Sequence, residues 1–89
     1  MNLFEEEKTL EEIQESISAA YDSVNLINGI IAGTEMTEDS IQERKDCVNR
    51  NTVHLVIMGK KSWFSENLTA EQSTEIETAI SNGKTYVAN

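Results

Sequence analysis

The chain has 89 residues, of which 38% are hydrophobic and five are aromatic, which is enough to bury one thin core. Sixteen acidic and seven basic residues give a net charge of −9, which argues against a nucleic-acid backbone or an anionic membrane as the main ligand. Twelve of the acidic residues but only three of the basic ones lie in residues 1–46. A domain this small often gains stability from a partner, so docking or self-association is expected.

The first predicted helix spans residues 10–32. Thr9 and Glu12 have the spacing of a capping box, and Gly33 is placed to close the helix in a left-handed conformation. Apolar residues at alternating intervals of three and four place one stripe along this helix: Leu10, Ile13, Ile17, Ala20, Val24, Ile27 and Ile31. The positions beside the stripe lack the charges typical of a two-stranded coiled coil, which favours packing in a bundle.

The second predicted helix spans residues 38–58, with Thr37 as its N-cap and Gly59 at its end. Its apolar side is marked by Ile41, Val48 and Leu55. The alternative is a strand over residues 52–58, because this run is dense and rich in β-branched side chains. A helix would match the first one in length across a short link, as an antiparallel hairpin requires, and this favours the helix.

The third predicted helix spans residues 70–81. Thr69 and Gln72 form a second capping box, and Asn82 and Gly83 provide a stop, with residues 85–87 as a short extended tail. Its narrow apolar side contains Ile76, Ala79 and Ile80. The elements together predict an all-α fold, in which an antiparallel helical hairpin of two long helices and a shorter third helix form a small bundle in a single domain, residues 1–89.

No pattern in the chain predicts a catalytic, metal or cofactor site. Cys47 and His54 are seven apart and would share a helix side, but two ligands do not complete a metal site, and no second Cys or His exists. Pairs of carboxylates four residues apart, such as Glu11 with Glu15, are common on any solvated acidic helix. The chain is therefore expected not to be an enzyme and to need no cofactor.

The expected location is intracellular, in a host cytoplasm or in a virion. One cysteine cannot form an internal disulfide, and the N-terminus lacks the basic and apolar regions of a secretory signal. The longest apolar run, residues 55–58, is far too short to span a bilayer. A soluble protein without membrane contact is expected.

Two apolar pairs are the candidate interface residues. Leu3 and Phe4 precede an acidic run and would either anchor a partner or fold back onto the bundle. Trp63 and Phe64 lie in a polar connector, where they would either plug one end of the core or contact a partner. The residues alone leave both alternatives open for each pair.

The C-terminal half has three features in order. Residues 50–58 contain the pairs Arg-Asn, His-Leu and Ile-Met, and Trp63 and Phe64 follow them. Residues 76–86 then contain an Ala-Ile pair, a Gly-Lys pair and a Tyr. In these features it resembles small uncharacterised proteins encoded by tailed phages. That resemblance implies no catalytic residues. It implies a phage accessory or virion protein.

The sequence thus predicts a non-enzymatic structural or interaction protein that assembles through its helices with itself, as a homo-oligomer, or with other proteins, and not with nucleic acid. The alternative is an acidic inhibitor, similar in effect to a DNA mimic, that would present its carboxylates to the basic groove of a host protein.

Overall fold

The structure is a computed structural model that describes residues 8–34 and 40–89, and every regular element within those ranges is a helix. Four helices follow in chain order: α1 at Leu10–Ala32, α2 at Ile41–Gly59, α3 at Ser62–Ser65 and α4 at Ala70–Ala88. They pack into a bundle, which confirms the predicted all-α class. Residues 52–58 lie within α2, so the strand alternative is wrong.

Helix α1 begins at the predicted capping box. The Thr9 hydroxyl accepts a hydrogen bond from the Glu12 backbone N–H at 3.1 Å, and the Glu12 carboxylate accepts one from the Thr9 N–H at 3.2 Å. At the other end Gly33 has φ +79°, a left-handed conformation that strains a residue with a Cβ. Local capping chemistry therefore fixes both ends of α1.

The predicted stripe on α1 is buried only along its middle. Leu10 is 67% exposed and Ile31 is 40% exposed, whereas Ile30 and Ser23 are buried instead. A repeat averaging 3.5 residues drifts around a helix that has 3.6 residues per turn, so the two ends of the stripe rotate away from the core of a short bundle. The stripe therefore predicts the helix correctly, but its first and last residues, Leu10 and Ile31, are not buried.

Helix α2 begins at Ile41, where Ser40 is the N-cap and accepts a hydrogen bond from the Glu43 N–H at 3.0 Å. The predicted N-cap, Thr37, lies outside the described residues. Ile41 is 63% exposed, so its assignment to the apolar inner side was wrong. The buried side of α2 is formed by Cys47, Val48, Thr52 and Leu55.

Helix α4 continues through the predicted stop at residues 82–83 and includes the predicted tail, residues 85–87. Gly83 is buried there, and it does not end the helix. A Cβ added at Gly83 would overlap the Thr52 hydroxyl and lie 3.3 Å from the Thr52 Cβ. The glycine therefore serves a close approach of α4 to α2, which sequence alone cannot distinguish from a helix stop.

One core joins all four helices. Its fully buried members include Ile27 of α1, Val48 and Leu55 of α2, and Phe64 of the one-turn α3, and Ile76 and Ala79 contribute from α4. Helices α1, α2 and α4 each contact the other two, and α3 contacts α1 and α2. Among the described helices none has the length and apolar character needed to cross a membrane.

Candidate functional site

An apolar surface lies on the outer side of α2, away from the core. Val53 is 46% exposed and Ile57 is 51% exposed, and helix geometry places them one turn apart on the same side. Val56, half-buried, lies beside them. We call Val53, Val56 and Ile57 the α2 outer surface. Leu55, between these residues in sequence, is completely buried on the opposite side, so the fold does not use the outer residues for its core.

The α2 outer surface adjoins a groove between α2 and α4. The groove has a volume of about 310 Å³, and Val56 lines both the groove and the outer surface. Its other apolar lining residues come from α2, α3, α4 and the connector before α4: Leu55, Phe64, Leu68, Ile76 and Ile80. Apolar side chains available to a partner thus extend from the exposed side of α2 into an open groove.

Cations lie at both ends of the α2 outer surface. Arg50 lies one turn before Val53, and Lys60 and Lys61 follow Ile57 at the end of the helix. All three cationic residues are exposed. In a chain of net charge −9, this places three of the seven basic residues around one apolar surface. An acidic occupant with apolar side chains would complement it.

The outward-facing side of α1 has the opposite character. Glu11, Glu15 and Asp22 are exposed, and their spacing along the helix places them on one side of it. We call these three residues the α1 acidic side. Ser18 and Asn25 lie near this side and are also exposed. The bundle therefore presents an apolar surface rimmed by cations on α2 and an acidic surface on α1.

The structure places the aromatic pair at the end of the bundle. Phe64 is completely buried and belongs to the core, which is one of the two roles that the sequence left open for it. Trp63 is half-buried, meets the Phe64 ring edge-on at 6.3 Å between centroids, and has the Lys8 ammonium 5.3 Å from its own centroid. The other predicted interface residues, Leu3 and Phe4, lie outside the described residues.

Cys47 belongs to a buried polar link between α1 and α2. The Asn51 side-chain amide donates to the Cys47 carbonyl at 2.8 Å and lies 3.7 Å from its Sγ, and the Ser23 hydroxyl donates to the Asn51 Oδ1 at 2.9 Å. His54 is half-buried. Over residues 8–34 and 40–89, no cluster of three or more His, Cys, Asp or Glu could hold a metal ion. The Ser23–Asn51 hydrogen bond is the part of this link that joins the two helices.

A second polar contact joins α1 to α4. Burial raises the pKa of Tyr21, and the nearby Glu75 raises it further through its charge and a side-chain hydrogen bond, with a smaller contribution from Glu71. All of these effects disfavour the phenolate. Tyr21 thus remains a neutral hydrogen-bonding residue at this helix contact over the physiological pH range.

Sequence reasoning singled out neither Val53 nor Ile57. Both lie in the dense apolar run of residues 53–58, in which five of six positions are apolar and suited to a core. The available signal was their spacing of four residues, out of phase with Val48 and Leu55. Once the buried side of α2 is known to contain Val48 and Leu55, this spacing places Val53 and Ile57 on the exposed side.

No family model, curated protein or solved structure matches this chain. The resemblance to tailed-phage proteins therefore stays a prediction.

Proposed function

We propose that this chain is a non-enzymatic structural or interaction protein that acts through helix-mediated assembly. The observation that carries the proposal is the α2 outer surface, where two large aliphatic side chains stay about half exposed beside an apolar groove. Exposed apolar surface that adjoins a groove and is rimmed by polar residues is typical of protein interaction sites. The phage origin, as a virion or accessory protein, rests on the resemblance of the C-terminal half.

Burial of the α2 outer surface would contribute a modest free energy. Complete burial of one Val or Ile side chain contributes roughly 1.5–3 kcal/mol, so covering the exposed halves of Val53 and Ile57 adds about that amount in total. This is small against the cost of association. A stable contact therefore needs the groove and the cations as well. The expected partner contacts the α2 outer surface, the groove and the cations together.

Between copies of this chain, the contact would be heterologous. If two α2 outer surfaces met in antiparallel register, Arg50 of one copy would lie opposite Lys60 of the other, and like charges disfavour that pairing. The α1 acidic side supplies the complementary charge on the next copy. A contact between two different surfaces generates rings or filaments, which suits a particle component. In this proposal α1 and α2 form the antiparallel hairpin that presents both surfaces.

Light scattering over a range of protein concentrations tests the proposal. The wild-type mass is expected to rise with concentration, and the Val53→Ser/Ile57→Ser variant is expected to stay monomeric, because it loses the apolar contact. Ile41→Ser is the matched control, since Ile41 is also an exposed aliphatic residue of α2 but lies three turns away. It should associate like the wild type.

A wild-type chain that stays strictly monomeric at high concentration, and that binds no purified virion protein in a pull-down, would contradict the proposal. Association that the double substitution leaves unchanged would also contradict it, because another surface would then be responsible.

The α1 acidic side favours a second candidate function. Three exposed carboxylates on one helix side are suited to the basic groove of a host nucleic-acid-binding protein. Competition with DNA for such a protein, weakened steeply by salt, is the expected result. Glu11→Gln/Glu15→Gln should reduce that competition, and a failure to bind any basic DNA-binding protein at low salt would exclude this function.

A further inference from the structure

The groove between α2 and α4 has opposite charges on its two sides. Lys60 lines it at the end of α2 and Glu77 lines it from α4, and both residues are exposed. Within residues 8–34 and 40–89, neither charge has an ion-pair partner. The lining between them is apolar and includes Val56 and Ile80, which are half-buried. An occupant is therefore selected by charge on both sides as well as by apolar contact.

The size of the groove matches a pair of aliphatic side chains. Its volume is about 310 Å³, and an apolar cavity of roughly 150 Å³ holds one benzene molecule. On α4 the lining runs from Ser73 to Ile80, which is two helical turns and a rise of about 10 Å. Side chains at positions i and i+4 of an α-helix are about 6 Å apart. Two such side chains of one helix therefore fit within the groove.

The walls of the groove favour an occupant that satisfies its own backbone hydrogen bonds. Leu55 lies inside α2, and Ile76 and Ile80 lie inside α4, where N–H and C=O groups are paired along each helix. An extended segment would find no sheet edge to pair with there. An α-helix has no such need, and it would pack against α2 and α4 as a further long helix of the bundle.

The described part of a second copy does not supply this helix. Helices α1, α2 and α4 each bury their apolar side in their own core. The exposed aliphatic residues of α1, Leu10 and Ile31, lie at its two ends, so they do not form a second stripe. On α2 the exposed pair Val53 and Ile57 is followed by Lys60, which would meet the Lys60 of the first copy. The complementary helix therefore belongs to a different protein.

We propose that the groove binds an amphipathic α-helix of another protein. This helix has two aliphatic anchors one turn apart, carboxylates along the edge that faces Lys60 and basic residues along the edge that faces Glu77. The inference rests on the proposed function, because it names the partner of the same site. The two charged edges also fix the direction of the helix, since turning it end for end exchanges its edges.

A synthetic helix added to the full chain tests the proposal. The probe peptide has about 18 residues, because isolated helices shorter than ~12–15 residues are marginal in water. It has leucines along one stripe, glutamates along one edge of the stripe and lysines along the other. The nitrogen-15-labelled chain is held at low concentration while the probe is added. Saturable amide shifts are expected at the residues that line the groove, chiefly 55, 56, 68, 76 and 80.

Charge reversal tests the two edges separately. Lys60→Glu and Glu77→Lys should each weaken probe binding about three- to tenfold, because each change places like charges along one edge. Lys60→Glu/Glu77→Lys should restore most of the affinity, with the probe turned end for end. A nitroxide at one end of the probe should then broaden amides at opposite ends of α4 in the wild type and in the double variant.

Lys61→Glu is the matched control, because Lys61 is an exposed cation next to Lys60 that does not line the groove. It should change the affinity by less than about twofold. Shifts that are absent at high probe concentration, or that fall around Leu10 and Ile13 instead, would overturn the proposal. A double reversal that fails to restore binding would overturn it as well.

Two further outcomes separate this inference from its neighbours. Decanoate, which has an apolar chain and a carboxylate but no basic group, should bind more weakly than the probe, and equal binding would overturn the helix as the occupant. A chain that binds the probe but stays monomeric in light scattering supports the inference and contradicts self-association alone. A chain that associates with itself but does not bind the probe contradicts the inference alone.

Discussion

In the C-terminal half of α2 the inner and outer sides are both apolar, yet the bundle treats them differently. On the inner side Val48 and Leu55 are completely buried, and Thr52 is so close to α4 that only a glycine fits opposite it. On the outer side Val53 and Ile57 remain about half exposed and contribute little to the core. The hydrophobic density of this helix therefore exceeds what folding requires, and the excess lies on one surface.

The two sides of α2 are therefore under different structural constraints. The inner side has to satisfy close packing, in which a change of one methyl group is felt. The outer side has no such constraint, and a polar residue there would be the ordinary choice for a solvated helix. The comparison predicts that substitutions on the inner side change stability, whereas substitutions on the outer side change association.

The largest expected effect separates the two sides directly. Leu55→Ala should lower the free energy of unfolding by about 2–5 kcal/mol, because it removes a completely buried side chain and leaves a cavity. Ile57→Ala, two residues away on the exposed side, should change it by no more than about 0.5 kcal/mol under monomeric conditions. Urea unfolding followed by circular dichroism measures both. Similar losses for the two variants would remove the distinction between the sides.

A smaller loss is expected where α4 crosses α2. Gly83→Ala should destabilise the fold by about 1–3 kcal/mol, since its Cβ would overlap the Thr52 hydroxyl. Gly59→Ala is the matched control, because no atom lies within 4 Å of a Cβ there, and it should be neutral or stabilising. Thr52→Ala should recover part of the Gly83→Ala loss in a double-mutant cycle. Additive effects in that cycle would contradict the close approach.

The buried polar link between α1 and α2 should contribute next. Asn51→Ala removes the acceptor of the Ser23 hydroxyl, which is 6% exposed and would be left without this partner. A loss of about 1–2 kcal/mol is expected in urea unfolding. Ser23→Ala/Asn51→Leu should cost less than Asn51→Ala alone, because both polar groups are then replaced. A larger loss in the double variant would show that the link contributes packing and not hydrogen bonding.

The smallest effect concerns pH. Because the pKa of Tyr21 is raised in the folded state, its contribution to stability is present below the unfolded value of about 10 and is lost as the pH rises through the folded value. The stability advantage of the wild type over Tyr21→Phe should therefore shrink above about pH 10. Paired urea titrations of the two proteins on either side of that pH measure the change. An advantage that grows with pH would contradict the direction of the shift.

Local capping chemistry and helix periodicity made much of the fold predictable. Thr9 with Glu12 and Thr69 with Gln72 form the predicted capping boxes at the starts of α1 and α4. Gly83 misled the prediction, because a buried close approach and a helix stop both require glycine and differ only in tertiary context. Ile41 did so for a related reason, since periodicity shows that residues share a side but not how far along a helix the neighbours extend.

The candidate surface was less accessible to sequence reasoning. In residues 53–58 an apolar side chain occupies five of six positions, so no periodicity separates inner from outer residues. Only the packing of α2 against α1 and α4 shows which of these residues face inward. The role of Phe64 likewise depends on tertiary packing. Its position in a polar connector allowed an interface role, whereas the one-turn α3 directs it into the core.

The most direct test of the central claim is the concentration dependence of amide chemical shifts in the nitrogen-15-labelled wild-type protein. The account predicts that the largest shifts on dilution fall within residues 53–61, around the α2 outer surface and its lysines, with a second and weaker set along the α1 acidic side. Shifts that are absent over the whole concentration range, or that centre on Ile41 and the α1–α2 connection, would contradict it.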